Sequence, residues 1–324
     1  METTRKWRWG VNRWIVLAFI IFSIVAVNIF APVQPHIQVA AENITDATLN
    51  LGPLGKVPFA NTWTTLLVLD LIIILLAWSV RQAVKKGDLV PHGIAGGMEM
   101  FVEVVYNLTE SAAGKWAKKI FPWFATILLV VLVANLMKLI PGMETIGVMH
   151  HAEGEGHAIQ SLGGNAYNLL PEVVECGEGY VLTPFFRAVS TDLNFTLALA
   201  LISVIMTQVI GVMAQGPRYF TKFLNFTTMF KKPFFGFMDF LVGMLEMISE
   251  FAKIISFTFR LFGNMFAGFV LMALVTSMLP IFVPSMISMF EFFIGLIQAF
   301  VFGMLTMVFM AQATQGHGGE EEHH

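Results

Sequence analysis

The stretch Glu246-Met-Ile-Ser-Glu-Phe-Ala-Lys-Ile-Ile-Ser-Phe-Thr-Phe-Arg260-Leu-Phe-Gly-Asn264 places one arginine, one lysine and two glutamates in what otherwise reads as a membrane-spanning helix. An ionisable group costs at least ~2.5–3.5 kcal/mol at the centre of such a helix. On a helix, the polar side chains of this stretch recur at steps of three, four or one and form a single stripe. The stripe consists of Glu246, Ser249, Glu250, Lys253, Ser256, Phe257, Arg260 and Asn264. It predicts a helix that faces protein or a water-filled path instead of lipid.

The composition of the whole chain agrees with a membrane protein. Of its 324 residues, 56% are hydrophobic and 13% are charged, whereas soluble domains carry about 25% charged residues. The net charge of −3 and the lack of a basic patch on a soluble module give no support for nucleic-acid binding. The single cysteine, Cys176, excludes an internal disulfide framework. These features predict an all-α polytopic membrane protein.

Long apolar runs predict five transmembrane helices, at residues 63–80, 121–140, 193–214, 236–279 and 285–312. A further apolar run at 14–31 follows four basic residues. This run is either a retained extra helix or a signal peptide with a cleavage site near residues 39–41, and its length favours the retained helix. We therefore divide the chain into 1–62, an N-terminal hydrophobic segment with an external loop, a membrane-embedded domain at 63–314, and a disordered polar tail at 315–324.

The segments between the spans have their own signatures. Residues 32–62 and 143–190 read as external loops, and 92–119 as an amphipathic helix on the membrane surface. The second loop holds a group that matches a metal site only in composition, so a solvated loop is favoured over a metal centre. That group is His150, His151, Glu153, Glu155 and His157. No metal or other cofactor is predicted.

The region 236–279 predicts one helix too long to cross a membrane upright. Its 44 residues would extend about 66 Å, and a hydrocarbon core is about 30 Å thick. The helix must therefore tilt, bend or begin along the surface. Pro280 and Pro284 mark a tight turn after it, and the last helix runs back antiparallel. Counting from this turn places Gln298 at about the depth of Asn264.

Basic residues predict the orientation. The segments 1–13, 81–119 and 216–232 hold fourteen lysines and arginines, whereas the outer side holds three, namely Lys56, Arg187 and Lys138 at the outer end of the span 121–140. This bias places both termini in the cytoplasm. Glu246 then lies nearer the cytoplasm, and Glu291 lies towards the outside.

Arg260 is a fixed positive charge, since a guanidinium keeps its proton in proteins. Glu246 and Glu250 lie about 21 and 15 Å away along the helix axis, so the partner of Arg260 must come from elsewhere in the chain or from another subunit. Lys253 is placed to neutralise Glu250 or Glu246. Asp192 precedes a long apolar run and predicts a helix N-cap. The chain has no Gly-x-x-x-x-Gly-Lys-[Ser/Thr] motif, so nucleotide binding is unsupported.

The segment Phe259-Arg-Leu-Phe-Gly-Asn-Met-Phe-Ala-Gly268 resembles subunit a of the F-type rotary ATP synthase. The resemblance extends from about residue 63 to residue 314 and includes segments 135–141, 191–196 and 298–305. It places Arg260 on the essential arginine of that family. It also places Asn264, Gln298, Glu246 and Ser256 on polar positions associated with proton transfer.

Three positions depart from the pattern of that family. Phe269 stands where Glu or His is common, and Glu291 occupies the position of its usual exchange partner. A single carboxylate would then serve where other members have a pair. Lys138 stands where an acidic or small residue is common.

The resemblance implies a proton-channel subunit of the stator, without a catalytic site of its own, in a bacterial inner membrane. Two offset half-channels would carry protons to and from the carboxylates of a c-subunit ring. The implied partners are this ring, the b-type peripheral stalk, the rest of the ATP synthase and the lipid bilayer. The implied outer route is lined by Glu291, Asn264 and Gln298, and the inner one by Ser256, Ser249, Glu250 and Glu246, with Arg260 between them.

Two other classes of protein compete with this interpretation. A self-contained ion channel or secondary transporter would show inverted repeats, and the sequence has no convincing one. A structural membrane anchor would leave the polar stripe unexplained. The choice between H⁺ and Na⁺ as the coupling ion stays open, because it depends largely on the ring carboxylate.

Overall fold

A computed structural model describes residues 9–29, 37–50, 52, 55–86, 92–140, 142–152, 154, 156–164, 166–174, 179–223, 233–280 and 282–315. The chain is mostly helical. Its α-helices are α1 (Trp9–Ile29), α2 (Asn61–Lys86), α3 (Ile94–Ala113), α4 (Ala117–Met137), α5 (Leu193–Gln215), α6 (Pro233–Met278) and α7 (Val283–Thr314). Short 3₁₀ turns at Gly114–Trp116, Val189–Thr191 and Gly216–Lys222 adjoin α4 and α5.

Five helical segments among the described residues are long and apolar enough to cross a membrane. They are Asn61–Lys86, Ile94–Met137, Leu193–Thr221, Phe240–Met278 and Val283–Thr314. This confirms the predicted all-α polytopic class. The amphipathic segment forms α3, but its place on the membrane surface stays a prediction. Helix α1 is compatible with both a signal peptide and a retained helix, and the predicted polar tail lies almost wholly outside the described residues.

Both predicted external loops contain strands, so the prediction of irregular loops is wrong. The first holds an antiparallel pair, β1 (Asn43–Asn50) and β2 (Lys56–Ala60). The second holds a four-stranded antiparallel sheet in the order β3-β6-β4-β5. Its strands are β3 (Gly147–His151), β4 (Gly156–Gly163), β5 (Ala166–Val174) and β6 (Tyr180–Pro184).

The prediction missed this sheet because its strands carry residues that weaken a strand pattern. Pro171 lies within β5, which is the edge strand of the sheet, and an edge is where proline is tolerated. Gly156 and Gly179 bring β4 and the start of β6 together, since a Cβ on either would overlap the backbone of the other. The Gly163-Gly164 pair, with positive φ at both residues, forms the turn between β4 and β5, and it is a hairpin signal that the prediction did not use.

The chain divides into two compact units. The first comprises Met1–Thr62, Leu139–Arg187 and Phe266–Ile294, and the second Trp63–Lys138, Ala188–Met265 and Gly295–His324. The first unit contains both sheets and the turn between α6 and α7. The second contains α2 to α5, most of α6 and the last two thirds of α7.

The second unit is built around α4, α5 and α7. Phe302 is fully buried, and the neighbouring Gly303 lets α4 approach closely. A Cβ on Gly303 would lie 3.0 Å from the ring of Phe124 and 3.1 Å from Cβ of Leu128. The Asp192 side chain accepts a hydrogen bond from the backbone N–H of Asn194 at 2.9 Å, which confirms the predicted N-cap of α5.

Candidate functional site

The polar stripe of α6 divides into two rows. Its buried row contains Glu250 and Phe257, with 9% and 2% of their surface exposed. Its exposed row contains Ser249, Ser256 and Arg260, and Asn264 continues it towards the outer end of the helix. The stripe therefore lies along the boundary between packed and open faces of α6, which is compatible with the predicted choice between protein and a water-filled path.

Arg260 presents its guanidinium on the exposed row. Its Nη2 lies 3.4 Å from Oγ of Ser256, one turn earlier on the same helix. Among the described residues this is the only polar contact of Arg260. The prediction that its partner comes from elsewhere in the chain or from another subunit stays a prediction, since a hydroxyl of its own helix carries no counter-charge. No described carboxylate shares its charge, so an anionic group of another subunit can approach it.

Asn264 and Gln298 join α6 to α7. The amide Nδ2 of Asn264 donates to Oε1 of Gln298 at 2.8 Å. This contact confirms the depth that counting from the proline turn predicts for Gln298. Gln298 is 4% exposed, and its Nε2 has no hydrogen-bond partner within the described part of the chain. A buried amide with a spare donor is suited to a neighbouring water or a polar group of a partner.

Glu250 and Lys253 form an ion pair in the N-terminal half of α6. Their Oε1 and Nζ atoms lie 2.8 Å apart, which confirms the predicted neutralisation. Nζ of Lys253 also lies 4.6 Å from the centre of the Phe309 ring on α7. Glu246, one turn before Glu250, is half-buried. Two carboxylates of the stripe thus lie one turn apart, and one of them is paired with a lysine.

Glu291 is a buried carboxylate on the outer half of α7. Only 7% of its surface is exposed. It precedes Gln298 by seven residues, or about 10.5 Å along the helix axis, and two turns place both residues on one face. Packing within the chain thus shields this carboxylate from bulk water, and its depth in the membrane stays a prediction.

The sequence prediction did not include Asn135, Lys138 and Ser190 among the site residues, although all three lie near this site. Asn135 of α4 donates from Nδ2 to the carbonyl of Gly295 at 3.0 Å, and its Oδ1 accepts from Ser190 Oγ at 2.7 Å. Lys138 donates to the carbonyl of Met265 at 3.0 Å. The bond from Lys138 holds α6 at Met265, the residue after Asn264. The bond from Asn135 holds α7 at Gly295, three residues before Gln298. The segment 135–141 that carries part of the family resemblance was the available signal.

Arg187 was also missed as a site residue. It is 4% exposed and donates to the carbonyls of Ala40 at 2.6 Å and Gln38 at 2.7 Å. Its guanidinium carbon lies 5.8 Å from the ring centre of Phe269 on α6. The available signal was the position of Arg187 as a basic residue in an external segment with few other basic residues. Its contacts show that it fixes residues 38–40 and β6 next to α6.

The histidines of the sheet do not form a metal site in the described residues. No group of three His, Cys, Asp or Glu side chains there is arranged to hold a metal ion. His151 instead packs against Tyr180, with ring centres 4.3 Å apart. Glu153 and Glu155 lie outside the described residues.

Comparisons with known proteins agree with the arrangement of these helices. The family model described as "ATP synthase A chain" matches residues 62–311. "ATP synthase subunit a" of Moorella thermoacetica is 28% identical over 268 residues, covering 82% of this chain and 95% of that protein. The Mycobacterium bovis protein of the same name is 28% identical over 280 residues, covering 84% and 92%.

A third relative differs in the ion that its name specifies. "ATP synthase subunit a, sodium ion specific" of Propionigenium modestum is 26% identical over 273 residues, covering 81% of this chain and 74% of that protein. The five apolar spans and the bacterial relatives identify a multi-pass protein of the bacterial plasma membrane. Since the family model covers most of its length, the chain belongs to the ATP synthase A chain family and is a subunit of the membrane sector of that complex.

Proposed function

We propose that this chain is the stator subunit that conducts protons to and from a ring of c subunits through two offset half-channels. The observation that carries the proposal is the exposed guanidinium of Arg260. It lies on α6 one turn from the Asn264–Gln298 hydrogen bond and has no described carboxylate beside it. A fixed cation on an open face is suited to a moving anionic partner.

The proposed outer route passes Glu291 and then the amides of Gln298 and Asn264. A buried carboxylate can take up and release a proton, and the two amides can position water next to it. These three side chains follow one another along α7 and α6 towards Arg260. In this route a proton from outside neutralises the carboxylate of one c subunit. This c subunit can then enter lipid without the cost of a bare charge.

The proposed inner route runs along α6 towards the cytoplasm. Ser256 and Ser249 lie on its exposed row, and Glu250 and Glu246 on the packed side. The Lys253–Glu250 ion pair lies on this route, between Glu246 and Ser256 along the helix. Protons leaving the ring would pass these hydroxyls and carboxylates into the cytoplasm.

Arg260 separates the two routes in this proposal. Its positive charge favours the ionised form of a ring carboxylate that comes close, and a permanent cation repels a proton that crosses directly. The driving force is the membrane potential, about 2.3 kcal/mol per charge per 100 mV, with any pH difference added to it. The chain itself would carry no catalytic centre.

Replacing Arg260 by alanine tests this proposal. We expect Arg260→Ala to abolish ATP-driven acidification of inverted membrane vesicles, because the barrier between the routes is lost. Arg81→Ala, which removes an exposed arginine of α2, is the matched control and should keep acidification. Coupled pumping that survives in the Arg260→Ala complex would overturn the assignment. Repeating the assay with and without Na⁺ decides whether H⁺ or Na⁺ is the coupling ion. Na⁺ is the ion in the name of the Propionigenium modestum relative.

A further inference from the structure

The first unit contains a cavity of about 520 Å³ next to the four-stranded sheet. Part of its wall is apolar and comes from strands β3, β5 and β6. Phe269 of α6 closes it on one side. The cavity is thus large enough for many water molecules, and it reaches the helix that carries Arg260.

Titratable side chains converge on this cavity. Glu42, Glu144 and His157 all line it, and each is half-buried. The ring atom Nδ1 of His157 is buried and has no hydrogen-bond partner among the described residues. Carboxylates and imidazoles can both accept and donate protons. The polar part of the wall is therefore suited to proton uptake, in contrast to an apolar ligand pocket.

The contacts of Arg187 hold part of the cavity wall in place. Its guanidinium donates to two backbone carbonyls of residues 38–40 and lies against the ring of Phe269. Because these contacts tie the segment before β1 to α6, the cavity keeps its opening against the helix.

The depth of Phe269 matches that of Glu291. Both residues lie in the first unit, on either side of the turn between α6 and α7. Phe269 lies nine residues before the end of α6 at Met278, about 13.5 Å, and Glu291 lies eight residues after the start of α7 at Val283, about 12 Å. The cavity therefore reaches α6 at about the level of the Glu291 carboxylate.

We propose that this cavity is the external vestibule of the proton path, and that Glu42, Glu144 and His157 collect protons there for Glu291. The inference rests on the proposed function and extends it to the extramembrane sheet. The sheet then has a role in ion supply. Protons pass from these three side chains towards Glu291, and no other group is consumed.

Thiol modification tests the vestibule in the assembled complex. In a Cys176→Ser background, which removes the one cysteine of the chain, Leu169→Cys places a thiol on the cavity wall. Right-side-out vesicles loaded with ADP and phosphate are treated from outside with a membrane-impermeant cationic thiosulfonate, and ATP synthesis is driven by an acid pulse and a potassium diffusion potential. We expect modification to slow synthesis about threefold or more, because a fixed positive charge in a cleft repels incoming protons.

Val173→Cys is the matched control, since Val173 is an exposed residue of the same strand outside the cavity. Its modification should leave the rate of synthesis unchanged. Complete labelling of Leu169→Cys without a change in rate would overturn the vestibule. The proposed function fails separately, through coupled pumping that survives in Arg260→Ala.

A double variant, Glu144→Gln with His157→Gln, addresses proton collection directly. We expect about a threefold or larger loss of synthesis rate at low external buffer, and recovery at high buffer, since mobile buffer then replaces the fixed collecting groups. A purely structural role predicts a loss that buffer does not restore. Either a loss insensitive to buffer or no loss at all contradicts the collecting role.

Discussion

Arg260 and Glu291 are opposite charges in the membrane-spanning part of the chain, and their surroundings differ. Arg260 is exposed and touches only a hydroxyl among the described residues, whereas Glu291 is 93% shielded from solvent by the chain itself, with 7% of its surface exposed. An exposed cation can act on a passing partner. A buried carboxylate is better suited to transfer protons along a fixed path. In the proposed function these differences correspond to the barrier and to the outer route.

Replacing Glu291 by glutamine should slow proton flow without preventing assembly. Glutamine keeps the size and polarity of the side chain but cannot take up a proton. We expect a loss of about a hundredfold in ATP-driven acidification, the low end of a general acid–base contribution. The amount of assembled complex, measured by subunit content, should stay the same.

Glu291→Asp is the matched variant, since it keeps a carboxylate on the same helix face. It should retain more acidification than Glu291→Gln. Equal and undiminished pumping in both variants would remove Glu291 from the proton path.

The sequence predicted several residue contacts because helix geometry is regular. A fixed rise per residue placed Gln298 opposite Asn264, and a spacing of three placed Lys253 beside Glu250. The same regularity could not predict which side of the stripe is packed, because that depends on where α7 lies. Asn135 and Gly295 are 160 positions apart, and no local pattern predicts such a pair.

At the scale of elements, α6 could be predicted from the sequence, whereas the four-stranded sheet could not. The 46 residues of α6 form an uninterrupted apolar pattern, so the helix and its excess length were evident. The strands of the sheet are short and interrupted by glycine and proline, and their pairing joins β3 to β6 across the intervening hairpin. Pairing of this kind depends on distant segments, and the alternation of side chains was too weak to indicate it.

The end of α5 offers a test of packing between neighbouring elements. Tyr219, in the 3₁₀ turn after α5, packs its ring on Gly211 and donates its hydroxyl to Gln208 at 2.7 Å. A Cβ on Gly211 would overlap that ring. Gly211→Ala should therefore destabilise the membrane sector by about 1–3 kcal/mol. This is measured as a lower midpoint for heat-induced disassembly in detergent.

Gly97→Ala is the control for helix propensity. Gly97 lies in α3, and a Cβ there meets nothing within 4 Å. Both substitutions gain up to about 1 kcal/mol of helix propensity, so the difference between them reports the clash alone. A Gly211→Ala complex as heat-stable as the Gly97→Ala complex would contradict the packing account.

At the scale of the whole molecule, the chain is a subunit of a larger complex, and its surface agrees with this. Most of the large side chains on α2 and on the inner half of α6 that face away from the protein are apolar, among them Leu67, Leu245 and Phe259. Lipid can cover α2, but Arg260 lies on the exposed face of α6 and needs a polar or anionic neighbour. The face of α6 that carries Arg260 is therefore the expected contact with the c ring.

Affinity purification of the tagged chain should bring down a c ring and the soluble ATPase subunits in mild detergent. A self-contained transporter or channel would purify without them. Mass spectrometry of the purified material measures the outcome. The Arg260→Ala chain serves as the control for assembly, because it should recover the same subunits while losing pumping.

The hydrogen bonds from α4 to the two long helices have a mechanical consequence. In the proposed function a turning ring pushes sideways on α6, and the stator must return an equal reaction force. Lys138 anchors α6 at the carbonyl of Met265, and Asn135 anchors α7 at the carbonyl of Gly295. The Asn264–Gln298 bond links the two anchored helices at nearly the same level. In the proposed motor, one end of α4 is thus the brace that keeps the charged face of α6 from yielding to torque.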